Sequence, residues 1–131
     1  MSFQTNISSK TVENDFFRQV VFTGTKSQLV VMSLNAGEDI GEEVHEHVEQ
    51  YLFNYSGQGK AVLDGVESDF NPGDVVIVSP GVKHNIINTG TDKLKVYTIY
   101  VPANHIDGRV HKTKADAMAD TEDEEFGHKV M

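Results

Sequence analysis

The 131-residue sequence predicts an all-β fold, a sandwich or small barrel, on three observations. Short β-branched and aromatic runs recur from Phe16 to Val101, seven to nine in number. Turn-forming residues separate them, and no stretch before residue 112 carries a convincing helical period.

In chain order, residues 1 to 15 are polar and without period, and are read as an N-terminal arm that pairs with a sheet edge or another subunit. Phe16 to Thr23 and Gln28 to Leu34 flank Gly24-Thr25-Lys26-Ser27 and predict a hairpin. Lys60 to Leu63 and Val66 to Phe70 flank Asp64-Gly65, a pair suited to a type I′ turn. Asp74 to Val78, with four consecutive aliphatics, reads as a strand covered on both faces. Lys83 to Asn88 and Leu94 to Val101 complete the strand-like runs of a single domain over residues 16 to 111. Residues 102 to 111 read as a loop, with His105 and His111 either folded over a site as a lid or on a mobile surface. Lys112 to Ala119 suits a short helix, and Asp120 to Glu125, five acids in six positions, reads as a solvated face or a frayed tail rather than a partner-binding tail.

Composition excludes several classes. With no cysteine, disulfides, thiolate metal sites and a cysteine nucleophile are ruled out, and a reducing, cytoplasmic compartment is favoured. The first residues lack the apolar core of a signal peptide, and no apolar run reaches membrane-span length, so a membrane partner is not expected. A net charge of -9 argues against a nucleic-acid partner.

The chemistry concentrates between Gly37 and Gly59, where two histidines, four glutamates and a glutamine lie between Gly41 and Gly57. A period of two would place Glu43, His45, His47 and Glu49 on one face of an extended chain. Gathering carboxylates and imidazoles costs entropy and repulsion that a divalent cation offsets. The competing reading is an exposed, charged edge strand.

A second stretch, Ser79-Pro80-Gly81-Val82-Lys83-His84-Asn85-Ile86-Ile87-Asn88, extends the pattern, and the two together resemble the cupin family. The first cupin motif is matched by Gly37, Glu43, His45, Gln50 and Gly57 at the family spacing, with Glu43 in place of the first His and Gln50 in place of the Glu. The second is matched by Gly73, Gly81, His84 and Asn88, with Pro80 one place late. Fifteen residues separate Gly57 from Gly73, and the resemblance covers roughly residues 28 to 101.

That resemblance implies a double-stranded β-helix, the jelly-roll barrel of cupins, with a divalent metal at Glu43, His45, Gln50 and His84. A second register of the first motif uses His45 and His47 with Glu49 or Gln50, leaving the distance to Gly57 one residue short. Either donor set suits Fe, Mn, Ni, Co or Zn. Glu43 or Glu49 would then move protons for an isomerase or lyase, while two histidines with one carboxylate match a non-haem iron dioxygenase. The substrate class is a small oxygenated metabolite such as a sugar or keto acid; a non-catalytic, even metal-free, binding or sensor barrel is the alternative. Only Lys83 stands near the motifs as a cation for a phosphate, and a surface turn is its simpler role. Exposed sheet edges imply a homodimer.

Overall fold

The computed structural model describes residues 2 to 129. Nine strands follow one another: β1 (Arg18–Thr23), β2 (Gln28–Leu34), β3 (Glu49–Ser56), β4 (Gly59–Leu63), β5 (Val66–Phe70), β6 (Val75–Val78), β7 (His84–Asn88), β8 (Leu94–Val101) and β9 (Val110–His111). They form a six-stranded sheet in the order β6-β3-β8-β2-β1-β9 and a three-stranded sheet in the order β5-β4-β7. Neighbouring strands are antiparallel, so alternate side chains face the space between the sheets.

On β3 that alternation buries Gln50, Leu52 and Asn54 and turns Tyr51, Phe53 and Tyr55 outward. On β8 it buries Leu94, Val96, Thr98 and Tyr100. Leu34, Leu52, Phe70, Ile86 and Leu94 meet in one core, each fully buried apolar side chain contributing about 1.5–3 kcal/mol. The apolar layer lies toward one end, and the polar inward residues Gln50, His84, Thr98 and Tyr100 belong to the same interior.

Turn chemistry sets the registers. The β1–β2 hairpin pairs Thr23 with Gln28, and Asp64 and Gly65 both take positive φ (48° and 82°), the type I′ geometry expected of that pair. Asn88 donates from Nδ2 to the carbonyls of Leu34 (3.0 Å) and Asp92 (2.9 Å), so this motif asparagine ties strands and turn together. Gly57 adopts φ 98°, and a Cβ there would sit 2.6 Å from the Lys93 carbonyl oxygen. No helix among the described residues is long and apolar enough to cross a membrane.

Several expectations are corrected. A helix precedes residue 112: α1 (Ile7–Glu13) is capped by Asn6, whose side chain accepts from Ser9 N at 2.9 Å. Its short Ser- and Thr-rich sequence has weak propensity, and docking on β2 and β8 with Thr11 buried supplies what propensity does not. β6 is an edge strand with one covered face, leaving Val75 46% and Ile77 50% exposed. The loop after β8 contains β9, which pairs Arg18 with His111 and buries His111. The acidic run is helical: α2 (Lys114–Ala119), opened by a Thr113/Asp116 capping box, leads into α3 (Thr121–Lys129). Asp123 of α3 is 4% exposed, while Glu122, Glu124 and Glu125 keep to the solvated face of the helix.

Gly57→Ala, which forces Cβ against backbone, is expected to cost about 3 kcal/mol, and Gly37→Ala, with positive φ but open space, about 1 kcal/mol. Urea unfolding of the two variants checks the contrast.

Candidate metal centre

The segment before β3 runs beside β7 as a short extra strand. Ile40 N donates to Ile86 O (3.0 Å), and Glu43 and His84 exchange N–H to O=C bonds, both 2.9 Å. Between these pairs Gly41 and Glu42 oppose the single residue Asn85, a β-bulge with Gly41 at φ 92°. The extra residue shifts side-chain parity, so Ile40 and Glu43 both face inward while Glu42 is exposed. Glu43 thereby joins His84 on the barrel interior. His45 follows, its carbonyl held by Gly81 N at 2.8 Å.

The donor atoms of Glu43, His45 and His84 lie within 4.8 Å of one another. His84 Nδ1 faces the Val82 carbonyl at 3.1 Å, which places the ring proton there and leaves a lone pair on Nε2. His84 Nε2 and His45 Nε2 are both buried without a hydrogen-bond partner. His45 Nε2 is 3.0 Å from Glu43 Oε2, close but out of line for a hydrogen bond. Burial alone would raise the Glu43 carboxyl, but the His45 ring and the Arg18 charge outweigh it and hold the carboxyl down to about 2. Burial also lowers His84, favouring the neutral imidazole a ligand requires.

The remaining sequence candidates are placed as follows. Gln50 faces the interior from β3, donating Nε2 to Thr98 Oγ1 (3.0 Å) and leaving a buried Oε1 without a partner. Glu49 projects from the opposite face of β3, where it accepts from Tyr51 Oη at 3.4 Å, and is not brought to the cluster. The chain bends at Glu46 and His47, both exposed, so residues 43 to 49 do not form the extended face the period of two predicts. Lys83 is exposed beside Glu42.

A cavity of about 450 Å³ adjoins the cluster, lined by Arg18, Glu43, His45 and His105 and roofed by Lys114, Met118 and Asp123 of the C-terminal helices. His105 is buried, neither a lid nor a surface residue: Nδ1 lies 2.7 Å from Asp123 Oδ2 and Nε2 3.2 Å from Tyr100 Oη. Burial, then the Arg18 charge, pushes His105 down to about 4, so the neutral ring donates to Asp123 and accepts from Tyr100. Burial raises Tyr100 above the usual phenol value, keeping that hydroxyl protonated. Asp120 accepts from His111 Nε2 (2.9 Å) and pairs with Arg109 (3.2 Å). Sequence reasoning gave Arg18 and Asp123 no role. The signal for Arg18 was an arginine at an inward position of an apolar strand; Asp123 had none within the acidic run.

A family model described as a cupin domain matches residues 30 to 100. This chain belongs to the cupin family. It is 42% identical over 123 residues to Bacillus subtilis YrkC, covering 89% of this chain and 66% of that protein, and 37% identical over 110 residues to L612 of Acanthamoeba polyphaga mimivirus, covering 80% and 68%. The chain thus spans about two thirds of the length of these curated relatives. The crystal structure of BH2720 from Bacillus halodurans superposes with a TM-score of 0.89 at 37% identity, over 91% of this chain and 95% of that one.

Cupins commonly hold a divalent metal, and the residues here fit one. Two buried ring nitrogens without hydrogen-bond partners and a partly exposed, ionised carboxylate converge. His45 Nε2 and Glu43 Oε2, 3.0 Å apart, are near enough for both to hold one ion.

Because the unfolded chain takes up a proton at His105 near pH 6.5 and the folded chain only near 4, stability is full above 6.5 and is lost as pH falls toward 4. Unfolding free energies from urea titrations at pH 7 and pH 5 are expected to differ by about 2 kcal/mol from this group, and His105→Asn to flatten that difference.

Proposed function

We propose that this cupin is a small metal-dependent enzyme, an isomerase, lyase or dioxygenase, acting on a small oxygenated metabolite such as a sugar or keto acid. Glu43, His45 and His84 hold the divalent ion, which is iron, manganese, nickel, cobalt or zinc, and Gln50 Oε1 is a further neutral donor. The observation that carries this reading is the pair of buried Nε2 atoms left without partners beside an ionised carboxylate. Such an ion supplies Lewis acidity toward a carbonyl or hydroxyl, or dioxygen chemistry when it is iron.

The chain's own groups divide the remaining work. Glu43, held down to about 2, is a poor proton acceptor at neutral pH, so it serves as ligand and fixed anion rather than general base. Glu49, on the outer face, serves neither role. His45 and His84 keep their lone pairs inward, Tyr100 and His105 line up hydrogen bonds behind them, and the C-terminal helices restrict water.

A second reading, a non-catalytic binding or sensor cupin, draws support from Gln50, neutral where the family has Glu and tied by its amide to Thr98. A cysteine-free chain suits the cytoplasm. We also propose a homodimer, because the outer face of β3 and β6 leaves Tyr55, Val75 and Ile77 exposed. Light scattering is expected to return twice the 14.5 kDa chain mass.

Metal content by plasma mass spectrometry decides between the two readings. Wild type is expected to carry near-stoichiometric metal and His84→Ala to lose it. Wild type that takes up none of the five ions overturns the metalloenzyme and leaves the binding barrel.

A further inference from the structure

The cavity holds a cation that the metal reading does not use. Arg18 points inward from β1 and is 7% exposed, and it lines the cavity with Glu43 and His45. Its Nη1 is 3.5 Å from His111 Nδ1, and its Cζ sits 5.3 Å from the Phe17 ring centroid. None of these partners is a carboxylate, and Nε is buried with no partner. Among the described residues no carboxylate forms an ion pair with it: Glu43 sits against His45, Asp39 pairs with Lys114, Asp120 with Arg109 and His111, and Asp123 with His105. The Glu43 charge is near enough to be felt across the cavity but not in contact, and a buried guanidinium with no carboxylate against it and an unused N–H leaves hydrogen-bonding capacity that an anion completes.

We infer that Arg18 binds the carboxylate of a small 2-oxo or 2-hydroxy monocarboxylic acid, whose adjacent oxygen then faces Glu43 and His45. A guanidinium fork matches a carboxylate bidentately, and one free cation matches one negative charge. A phosphate is disfavoured, because the same walls carry Glu42, Glu43, Asp123 and Glu124, and the other lining ammonium, Lys114, is already paired. Phe17, Ile40, Val44 and Met118 give the cavity an apolar side that suits a short alkyl chain. This inference rests on the proposed function for the orientation of the substrate, and not for the anion site itself.

The test is thermal denaturation and calorimetry of the full chain after chelation, with pyruvate and 2-oxobutyrate as probes and methyl pyruvate as the uncharged control. At tenfold over the dissociation constant the acids are expected to raise the Tm by about 5 °C and the ester to leave it unchanged. Arg18→Gln is expected to weaken acid binding at least tenfold, and Arg18→Lys to keep part of it. No shift in wild type, an equal shift with the ester, or undiminished binding in Arg18→Gln overturns the inference. Where Arg18→Gln does not fold, the contrast of acid with ester in wild type decides alone. Because the protein is metal-free, acid binding without metal uptake would sink only the enzyme reading, and metal uptake without acid binding only this one.

Discussion

The two backbone hydrogen bonds exchanged by Glu43 and His84 fix everything else at the site. They exist in that register because Gly41 accepts a positive φ and admits one extra residue opposite Asn85. Without the bulge, Glu42 would face the interior and Glu43 the solvent. The same Pro80-Gly81-Val82 turn then grips both histidines, donating from Gly81 N to the His45 carbonyl and accepting at the Val82 carbonyl from His84 Nδ1. The two motifs therefore interlock through main chain, and the same turn supplies the carbonyl that aims the His84 ring.

Around this cluster the barrel interior is unusually polar at one end. Tyr100, His105 and Asp123 form a connected series beside Arg18, in which Tyr100 donates to His105 and His105 to Asp123. Such a network is stable only when nearly every member is satisfied, and the unsatisfied atoms that remain, at Arg18, His45, His84 and Gln50, are the ones offered to a ligand. The last anion of the series comes from α3, outside the barrel. That helix is seated closely, for a Cβ at Gly127 would lie 2.9 Å from Asn104 Oδ1. The C-terminal segment thus belongs to the site and lowers its dielectric by covering the cavity.

Much of the barrel was legible because strands announce themselves by period two and turn residues, and β2, β5 and β8 have the bounds their sequence patterns indicate. Asp64-Gly65 was legible for the same reason. The site was legible through the spacing of Gly37, His45, His84 and Asn88, while local periodicity around residues 43 to 49 misled, since a bulge and a bend break the alternation that it assumes. β6 misled because four aliphatics in a row do not say which face a neighbour covers. Asp123 and Arg18 were out of reach: their meaning lies in burial created by residues from other elements, 18 positions away for Asp123 with His105 and 93 for Arg18 with His111. A charged residue inside an apolar strand was the one local hint.

The central claim, that Glu43, His45 and His84 converge on one cation, is tested most directly by anomalous scattering from crystals grown with manganese or zinc. The account predicts a single strong peak within bonding distance of His45 Nε2, His84 Nε2 and the Glu43 carboxylate. No peak there, or one only at the other group of His111, Asp120 and Asp123, would contradict it.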